Sequence, residues 1–426
     1  MVPKGWKTVT LKDLLDGQIK NGYSPNATDS ETGYWVLSLG ALADEGINSS
    51  GIKPVLPEEK VLQNLLKKDD FLVSRSNTPD KVGRSIRFKN EIENCSYPDL
   101  MLRFRIDDTK ADKEFIEQQL KSSTVRAYFK NCAAGSSSTM VKINKGILEK
   151  TPIVVPPIKE QKKIAQVLFA WERAISVTEK LLANSQQQKK ALMQQLLTGK
   201  KRLLDENGVR FSGEWEYTIF GNLGDTYTGL TGKTKEDFGA GKPYIPYINI
   251  FKNSRIDIQN LEYVQVNDDE RQSVVKYGDI FFTTSSETPE EVGMSSVLLE
   301  EVSEVFLNSF CFGFRLNNFE TLIPKYARYL FRSEHVRRQI STLGQGATRY
   351  NLSKRQLIKL ELKLPCVEEQ QKIAAVLSAA DAEISTLEKK LACLKDEKKA
   401  LMQQLLTGKR RVSVPVKVEE KESVSA

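Results

Sequence analysis

Two stretches of the chain carry the hydrophobic repeat of a long amphipathic helix. After Pro157 and again after Pro365, mostly apolar side chains recur at alternating steps of four and three residues, which places them along one side of a helix as a heptad seam. The first seam is Ile164, Leu168, Trp171, Ile175, Thr178, Leu182, Ser185, Lys189, Leu192 and Leu196, and the second is Ile373, Leu377, Ala380, Ile384, Leu387, Leu391, Leu394, Lys398, Leu401 and Leu405.

Both helices have defined ends and a length that a single globule cannot cover. A proline precedes each seam, and the helix-terminating glycines Gly199 and Gly408 follow. A helix from Glu160 to Leu197 would rise about 57 Å. We therefore expect the seams to pack against each other as a coiled coil, the alternative being that each helix packs on its own globule. Lys189 and Lys398 occupy matching seam positions, where a polar residue fixes the register.

The rest of the chain is built from short β-branched and aromatic runs, separated by Gly, Pro, Asn and Ser. Runs such as DFLVSRS, GDIFFTTS and FCFGFRL are typical of strands, and residues 112–130 and 324–339 have helical patterns. These patterns predict mixed α/β (α+β) globules.

The same order of sequence motifs occurs twice along the chain. KKALMQQLLTGK occupies Lys189–Lys200 and returns unchanged at Lys398–Lys409, and upstream NTPDKVGRS (residues 77–85) is matched by ETPEEVGMS (residues 287–295). A period of this length indicates domain duplication and not a solenoid. The predicted segments are a globular domain (1–155), a helix (156–200), a second globular domain (201–364), a second helix (365–410) and a polar, flexible tail (411–426).

Two similar units in one chain are expected to dock about a pseudo-twofold axis. If the axis crosses the helices at right angles, the helices run antiparallel and the globules lie at opposite ends. A parallel pair would place both globules at one end. The hydrophobic pattern by itself allows both arrangements.

The amino-acid composition adds little to this prediction of fold and domains. Lys and Arg number 63 against 55 Asp and Glu, and the net charge of +8 favours a polyanionic partner. The five cysteines are scattered without a CxxC pair, which is typical of a reduced, cytoplasmic chain. Because no run of eighteen apolar residues and no signal peptide is evident, neither membrane insertion nor export is expected.

Candidates for catalysis are few. His335 is the only histidine, so histidine-based zinc sites are excluded and a nucleophile has at most one histidine base. Asp99, Asp108 and Lys110 resemble the PD...DxK arrangement of Mg²⁺-dependent nucleases. This loose pattern has no clean equivalent in the second half. It defines the enzyme alternative, and a coiled-coil scaffold that binds proteins is a third hypothesis.

Each half has loops suited to nucleic acid. Arg, Lys and Asn can hydrogen-bond to base edges, whereas Ser, Thr and backbone N–H groups hold phosphates. Such residues gather around SRSNTPDKVGRS and AAGSSSTMVKINK in the first half, and around TTSSETPEEVGMS and LGQGATRYNLSKRQ in the second. The predicted DNA-contacting residues are Arg75, Ser76, Asn77, Lys81, Ser136, Ser137, Lys142, Asn144, Thr284, Ser285, Ser286, Thr348, Arg349, Tyr350, Asn351 and Lys354.

Over its whole length the chain resembles the DNA specificity subunits of type I restriction-modification systems. The matching motifs are the helix starts PPIKEQKKIA and LPCVEEQQKIA, the twin helix ends LMQQLLTGK, FSGEWE at residues 211–216 and GATRYNLSK at residues 346–354. The first half departs from this pattern, because AAGSSSTMVKINK stands where the family has a GATRYNLSK form.

The resemblance implies a non-catalytic subunit with two target-recognition domains, each reading one half of a bipartite double-stranded DNA site. Two antiparallel helices would separate these domains and dock two methyltransferase subunits, and a motor-nuclease subunit can join the complex. S-adenosylmethionine, ATP and Mg²⁺ would bind partner subunits and not this chain. The residues expected to serve the coiled coil and docking are Ile164, Leu168, Trp171, Ile175, Leu192, Leu196, Ile373, Leu377, Ile384, Leu391, Leu401 and Leu405.

Overall fold

A computed structural model describes residues 3–43, 46–137, 140–346 and 349–413. The chain divides into two compact units, residues 1–179 with 389–426 and residues 180–388. Each unit therefore contains the first part of one long helix and the last part of the other. The segments predicted from the sequence list each long helix separately from the globular domains, whereas each compact unit includes parts of both helices. The predicted segment boundaries stay predictions.

The two heptad patterns form the helices Ile158–Leu196 and Val367–Leu405. Each ends before a glycine with a positive φ, +70° at Gly199 and +72° at Gly408. Because only glycine adopts this conformation without strain, these residues end the helices as the sequence predicts. At Gly408 an added Cβ would also lie 2.5 Å from the ring of Pro3.

Each unit contains an antiparallel four-stranded sheet with the same strand order. In the first unit the order is Lys20–Asn21, Met101–Phe104, Phe71–Ser74 and Ser85–Arg87. In the second unit it is Gly224–Thr228, Cys311–Leu316, Ile280–Thr283 and Ser295–Val297. The duplication is therefore structural, and the predicted mixed α/β class is confirmed.

Shorter elements surround each sheet. Further strands of the first unit are Lys7–Thr10, Trp35–Leu37, Leu42–Ala43, Gly46–Ile47, Ile52–Pro54, Ser76–Asn77, Cys95–Ser96, Ala134–Ser137, Met140–Lys142 and Pro152–Val155, and its helices are Leu11–Leu14, Leu39–Ala41, Ser49–Gly51, Glu59–Gln63, Lys113–Lys121, Ser123–Cys132 and Lys145–Glu149. Further strands of the second unit are Glu216–Ile219, Phe238–Ile245, Glu262–Val264, Ser285–Ser286, Phe306–Leu307, Tyr350–Asn351 and Glu361–Leu364, and its helices are Phe220–Leu223, Lys235–Asp237, Tyr247–Lys252, Pro324–Leu330, Glu334–Thr342 and Lys354–Leu357.

The two predicted shorter helices are each broken by a serine. Ser122 separates Lys113–Lys121 from Ser123–Cys132, because its backbone is extended and its hydroxyl accepts from the N–H of Val125. Ser333 caps Glu334–Thr342 in the same way. The helical patterns predicted over 112–130 and 324–339 are confirmed, but each forms two helices, since serine as an N-cap competes with helix continuation.

The helix ends pack into the globular cores. Ile164, Leu168 and Leu405 belong to the buried cluster of the first unit, which includes Phe71 and Phe104. In the second unit, the corresponding cluster contains the helix residues Leu196, Ile373 and Leu377. The helix ends therefore pack on the globular parts of the chain, which was the alternative to a coiled coil along the whole helix.

Helix-to-helix contacts lie between the ends, and they are antiparallel within each unit. In the first unit Glu172 pairs with Lys398 at 2.9 Å and Glu179 pairs with Lys395 at 2.7 Å. Residue numbers rise along one helix as they fall along the other. Burial alone would raise the pKa of Glu172, but Lys121 and Lys398 outweigh it and hold that pKa below its usual value.

The second unit repeats this pairing with its own residues. Lys189 pairs with Asp381 at 2.5 Å, and Ser185 donates to Glu383 at 3.0 Å. Lys189 and Lys398, the two seam lysines, therefore each bind an acid on the opposite helix. Both seam lysines are thus paired across the helices, and their role in fixing the register stays a prediction.

A second polar contact joins the end of one helix to the start of the other. In the second unit Arg202 donates two hydrogen bonds to the buried carboxylate of Glu369, at 2.6 and 2.7 Å, and Trp215 Nε1 donates a third at 3.3 Å. In the first unit Arg411 and Trp6 bind Glu160 in the same way. We call each set a Trp-Glu-Arg lock. Arg411 is the first residue of the predicted tail, and residues 414–426 lie outside the described part of the chain.

Replacing Glu369 by Gln should lower the free energy of unfolding by about 2–4 kcal/mol, because it leaves the Arg202 guanidinium without its buried counter-charge. The matched control is Glu368→Gln, which removes an exposed carboxylate from the adjacent position and should change stability by less than ~0.5 kcal/mol. Urea unfolding followed by tryptophan fluorescence measures both. Equal losses in the two variants would contradict the lock.

Candidate nucleic-acid interface

In the second unit, two of the predicted DNA-contacting loops meet as a small antiparallel ladder. Ser285 lies opposite Asn351 and Ser286 lies opposite Tyr350. The N–H of Leu352 donates to the carbonyl of Thr284 at 2.8 Å and extends this ladder. Residues more than sixty positions apart in sequence therefore form one edge, which we call the second polar edge (residues 284–286 and 349–352).

The first unit forms the equivalent edge from its own two loops. Asn77 lies opposite Val141 and Ser76 lies opposite Lys142. The N–H of Ile143 donates to the carbonyl of Arg75 at 2.9 Å, as Leu352 does to Thr284. We call this the first polar edge (residues 75–77 and 140–143). The sequence matched the loops of the two halves, and the strand pairing now matches them residue by residue.

This match assigns counterparts that the sequence did not reveal. Lys142 takes the place of Asn351, and Met140 takes the place of Arg349. Met140 is 49% exposed. The sequence comparison missed Met140 because the loop that leads from Gly135 to Met140 is longer than the loop from Gly346 to Arg349. The first edge thus has a thioether where the second has a guanidinium.

The predicted contact residues differ in accessibility. Those with exposed side chains are Lys81, Lys142, Asn144, Arg349 and Asn351, and those that are half-buried are Arg75, Asn77, Thr284, Ser285, Tyr350 and Lys354. Asn144 caps the helix Lys145–Glu149 by accepting from the N–H of Ile147. Burial lowers the pKa of Lys354, whose ammonium lies 5.8 Å from the centre of the Phe312 ring.

Two predicted serines are not available for contact. Ser76 is 1% exposed and Ser286 is 9% exposed, so both side chains lie inside the globule. The Ser286 hydroxyl donates to Glu291. The prediction of direct contact is wrong for both. Thr348 lies outside the described residues, as do the side chains of Ser136 and Ser137.

The shared TPxxVG turns lie next to these edges and are clamped by arginines. Arg337 donates to the backbone carbonyls of Glu290, Val292 and Gly293 at 2.5–2.8 Å. Arg126 binds the carbonyls of Asp80 and Val82 in the first unit. Burial lowers the pKa of Arg337 to about 10, so it stays charged at neutral pH. The turns are therefore scaffolding, which explains why they recur in both halves.

The heptad-seam residues predicted for partner docking are buried or half-buried. Among them Ile164, Leu168, Ile175, Leu196, Ile373, Leu377 and Leu405 are buried, and Trp171, Leu192, Ile384, Leu391 and Leu401 are half-buried. Their burial in the cores and along the helix pair leaves little of them for a partner. A docking surface must use neighbouring exposed residues.

The structure does not gather the nuclease-like residues. Asp99 binds the hydroxyl of Ser24, whereas Asp108 pairs with Lys113 at 2.8 Å and Lys110 pairs with Asp107 at 3.3 Å. Within the described residues, no group of His, Cys, Asp and Glu side chains could hold a metal ion. The nuclease alternative is therefore unsupported.

No helix in the described parts of the chain has the length and apolar character needed to cross a membrane.

The sequence profile of the type I restriction modification DNA specificity domain matches the chain twice, over residues 3–184 and 213–395. The putative type I restriction enzyme MjaX specificity subunit of Methanocaldococcus jannaschii is 25% identical over 96% of this chain and 95% of its own length. The type I restriction enzyme EcoKI specificity subunit of Escherichia coli is 26% identical over 40% of this chain and 37% of its own length.

Solved structures show the same fold. The S subunit of a type I restriction-modification system from M. genitalium superposes with a TM-score of 0.58 at 16% identity, covering 94% of this chain and 96% of that one. A structure from a study of assembly and conformational transition in a type I R-M system gives a TM-score of 0.58 at 16% identity, covering 96% of this chain and all of that one.

The contribution of Arg337 to the stability of the TPxxVG turn can be measured by unfolding. Arg337→Met should lower the free energy of unfolding by about 2–4 kcal/mol, because three backbone carbonyls, two of them part-buried, lose their donor. Arg338→Met is the control, since Arg338 is 76% exposed and its helical ion pair with Glu334 contributes only about 0.3–0.5 kcal/mol. Chemical denaturation distinguishes the two, and comparable losses would show that the clamp is not needed.

Proposed function

Because the chain belongs to the type I restriction-modification DNA specificity family, we propose that each unit reads one half of a bipartite double-stranded DNA site. The observation that carries this proposal is the pair of polar edges. They have the same backbone pairing in both units but different exposed side chains. One scaffold that presents two sets of donors suits two different short sequences.

Arg349 and Asn351 are the residues we propose for base reading in the second unit. Both are exposed on the second polar edge, and Arg and Asn can bind guanine and adenine bidentately. In the first unit Lys142 and Arg75 take these roles, with Lys81 and Asn144 nearby for phosphate contact. Thr284, Ser285, Tyr350 and Lys354 complete the second surface.

We propose that methyltransferase subunits dock on clefts beside the duplicated helix ends. In the second unit Lys190, Met193 and Gln194 line a cleft that faces the helix start at Ser333. In the first unit Lys399, Met402 and Gln403 line the corresponding cleft beside Ser122. Since these linings derive from the identical KKALMQQLLTGK segments, each cleft suits a copy of the same partner.

Catalysis would then be carried out in the cytoplasm by other chains. The methyltransferase subunits would bind S-adenosylmethionine, and a motor-nuclease subunit that joins the complex would use ATP and Mg²⁺. This chain would supply the choice of sequence and the docking clefts.

Substituting Arg349 by Ala should relax the sequence preference in one half of the site only, with a loss of roughly 5- to 150-fold for the base it reads. Selection of duplexes from a randomised pool by the full chain measures the preference at every position. Lys142→Ala removes an exposed reading residue proposed for the first unit and should affect only the other half. If Arg349→Ala weakened binding equally for all sequences, the guanidinium would contact phosphate and the reading role would be wrong.

Charge reversal in the clefts should remove methyltransferase subunits one at a time. We expect Lys190→Glu and Lys399→Glu each to retain one subunit and the double variant to retain none, because each cleft would lose a cation at its exposed rim. Native mass spectrometry of the assembled complex gives the stoichiometry. Lys67→Glu makes the same charge change on an exposed residue away from the clefts. An unaltered stoichiometry in the double variant would refute docking at this place.

A further inference from the structure

We propose that Phe310 in the second unit, and Leu100 at the equivalent position of the first, make apolar contact with DNA bases beside each polar edge. This inference rests on the proposed reading of DNA by these edges. It adds an apolar determinant to a surface that was predicted to read sequence through polar groups alone.

Both side chains are exposed at the tip of the same turn. Phe310 is 65% exposed and precedes the strand Cys311–Leu316, and Leu100 is 37% exposed and precedes the strand Met101–Phe104. Isolated exposed apolar residues are ordinary on protein surfaces. These two are different because they occupy one structural position in both units while the surrounding sequence has diverged.

The turn in the second unit is bonded directly to the second polar edge. The carbonyl of Phe310 accepts from the backbone N–H of Thr284 at 3.0 Å and from its hydroxyl at 2.6 Å. The carbonyl of Thr284 in turn accepts from Leu352. Phe310 and Leu352, the residue after Asn351, therefore flank Thr284 on its two sides.

The first unit repeats this connection. The carbonyl of Leu100 accepts from the N–H of Arg75 at 2.8 Å, and the carbonyl of Arg75 accepts from Ile143. Leu100 and Ile143, the residue after Lys142, thus flank Arg75. In each unit, two successive backbone hydrogen bonds link the residue with the exposed apolar side chain to the strand that carries the exposed reading residue.

Both turns are held rigidly. The N–H of Phe310 donates to the side chain of Asn308 at 2.8 Å, and Cys311 N–H donates to the Asn308 carbonyl at 3.1 Å. Gly229 packs so closely on this turn that an added Cβ would collide with the Asn308 carbonyl, and Gly22 meets the Tyr97 carbonyl in the same way. A side chain displayed from a fixed turn loses little entropy on binding.

Apolar groups read DNA in two ways. They contact the 5-methyl group of thymine in the major groove, or they insert between base pairs and unstack them. Both modes need an exposed apolar side chain on a rigid support, which the turn provides. Because a phenyl ring and an isobutyl group differ in size and shape, the two units would differ in the base step that they accept.

The test uses the full chain and the duplex selected by the wild-type protein. Phe310→Ala should weaken binding of this duplex by about tenfold, within the range for a base contact, and should leave binding of a scrambled duplex unchanged. Phe310→Leu should keep most of the affinity. Tyr217→Ala removes another exposed aromatic side chain of the same unit and should have no effect.

Two further measurements separate the contact modes. If Phe310 contacts a thymine methyl group, replacing that thymine by deoxyuridine weakens the wild-type protein but not Phe310→Ala. If it inserts between base pairs, 2-aminopurine in the half-site brightens with the wild-type protein and not with the variant. Either result supports the inference.

The inference is overturned if Phe310→Ala binds the selected duplex within twofold of wild type, or loses selected and scrambled duplexes equally. Arg349→Ala distinguishes this failure from failure of the proposed function. If Arg349→Ala relaxes the sequence preference while Phe310→Ala does not weaken binding, the polar edge reads DNA and the turn does not. If the wild-type chain selects no sequence at all, the proposed function itself is wrong.

Discussion

The Trp-Glu-Arg lock is the contact on which the arrangement of each unit depends. A carboxylate at the start of one helix, Glu160 or Glu369, is removed from water and must be neutralised. Its arginine comes from the segment just beyond the end of the other helix, and its tryptophan comes from the entrance to the globular part. One buried charge therefore joins three segments that are far apart in sequence.

The seam lysines apply the same constraint farther along the helices. Each binds an acid on the opposite helix, Lys398 with Glu172 and Lys189 with Asp381. A shift by one helical turn would separate the charges in a half-buried environment, which is costly. Apolar packing of Ile164 or Ile373 in the cores stabilises the helices, whereas the charged pairs select one register.

This division of roles explains how the two halves have diverged. The arginine-clamped TPxxVG turns, the helix ends and the locks are scaffold, and both halves keep them. The exposed side chains of the polar edges do not hold other segments in place in this way. Met140 can therefore replace Arg349 at the equivalent position without disturbing the fold. The turn of Leu100 and Phe310 shows an intermediate case, since its backbone bonds are kept while its side chain changes.

The sequence by itself determined the duplication, the two long helices, their ends and the mixed α/β class, because heptad spacing, glycine stops and a repeated landmark order are local or periodic signals. It also identified the loops that carry the candidate contacts. Tertiary structure decided which residues of those loops are accessible: Ser76 and Ser286 are buried, and strand pairing aligns Met140 with Arg349 and places Phe310 beside Thr284. These outcomes depend on pairing between segments with no periodic relation in the sequence, so only the folded chain could supply them.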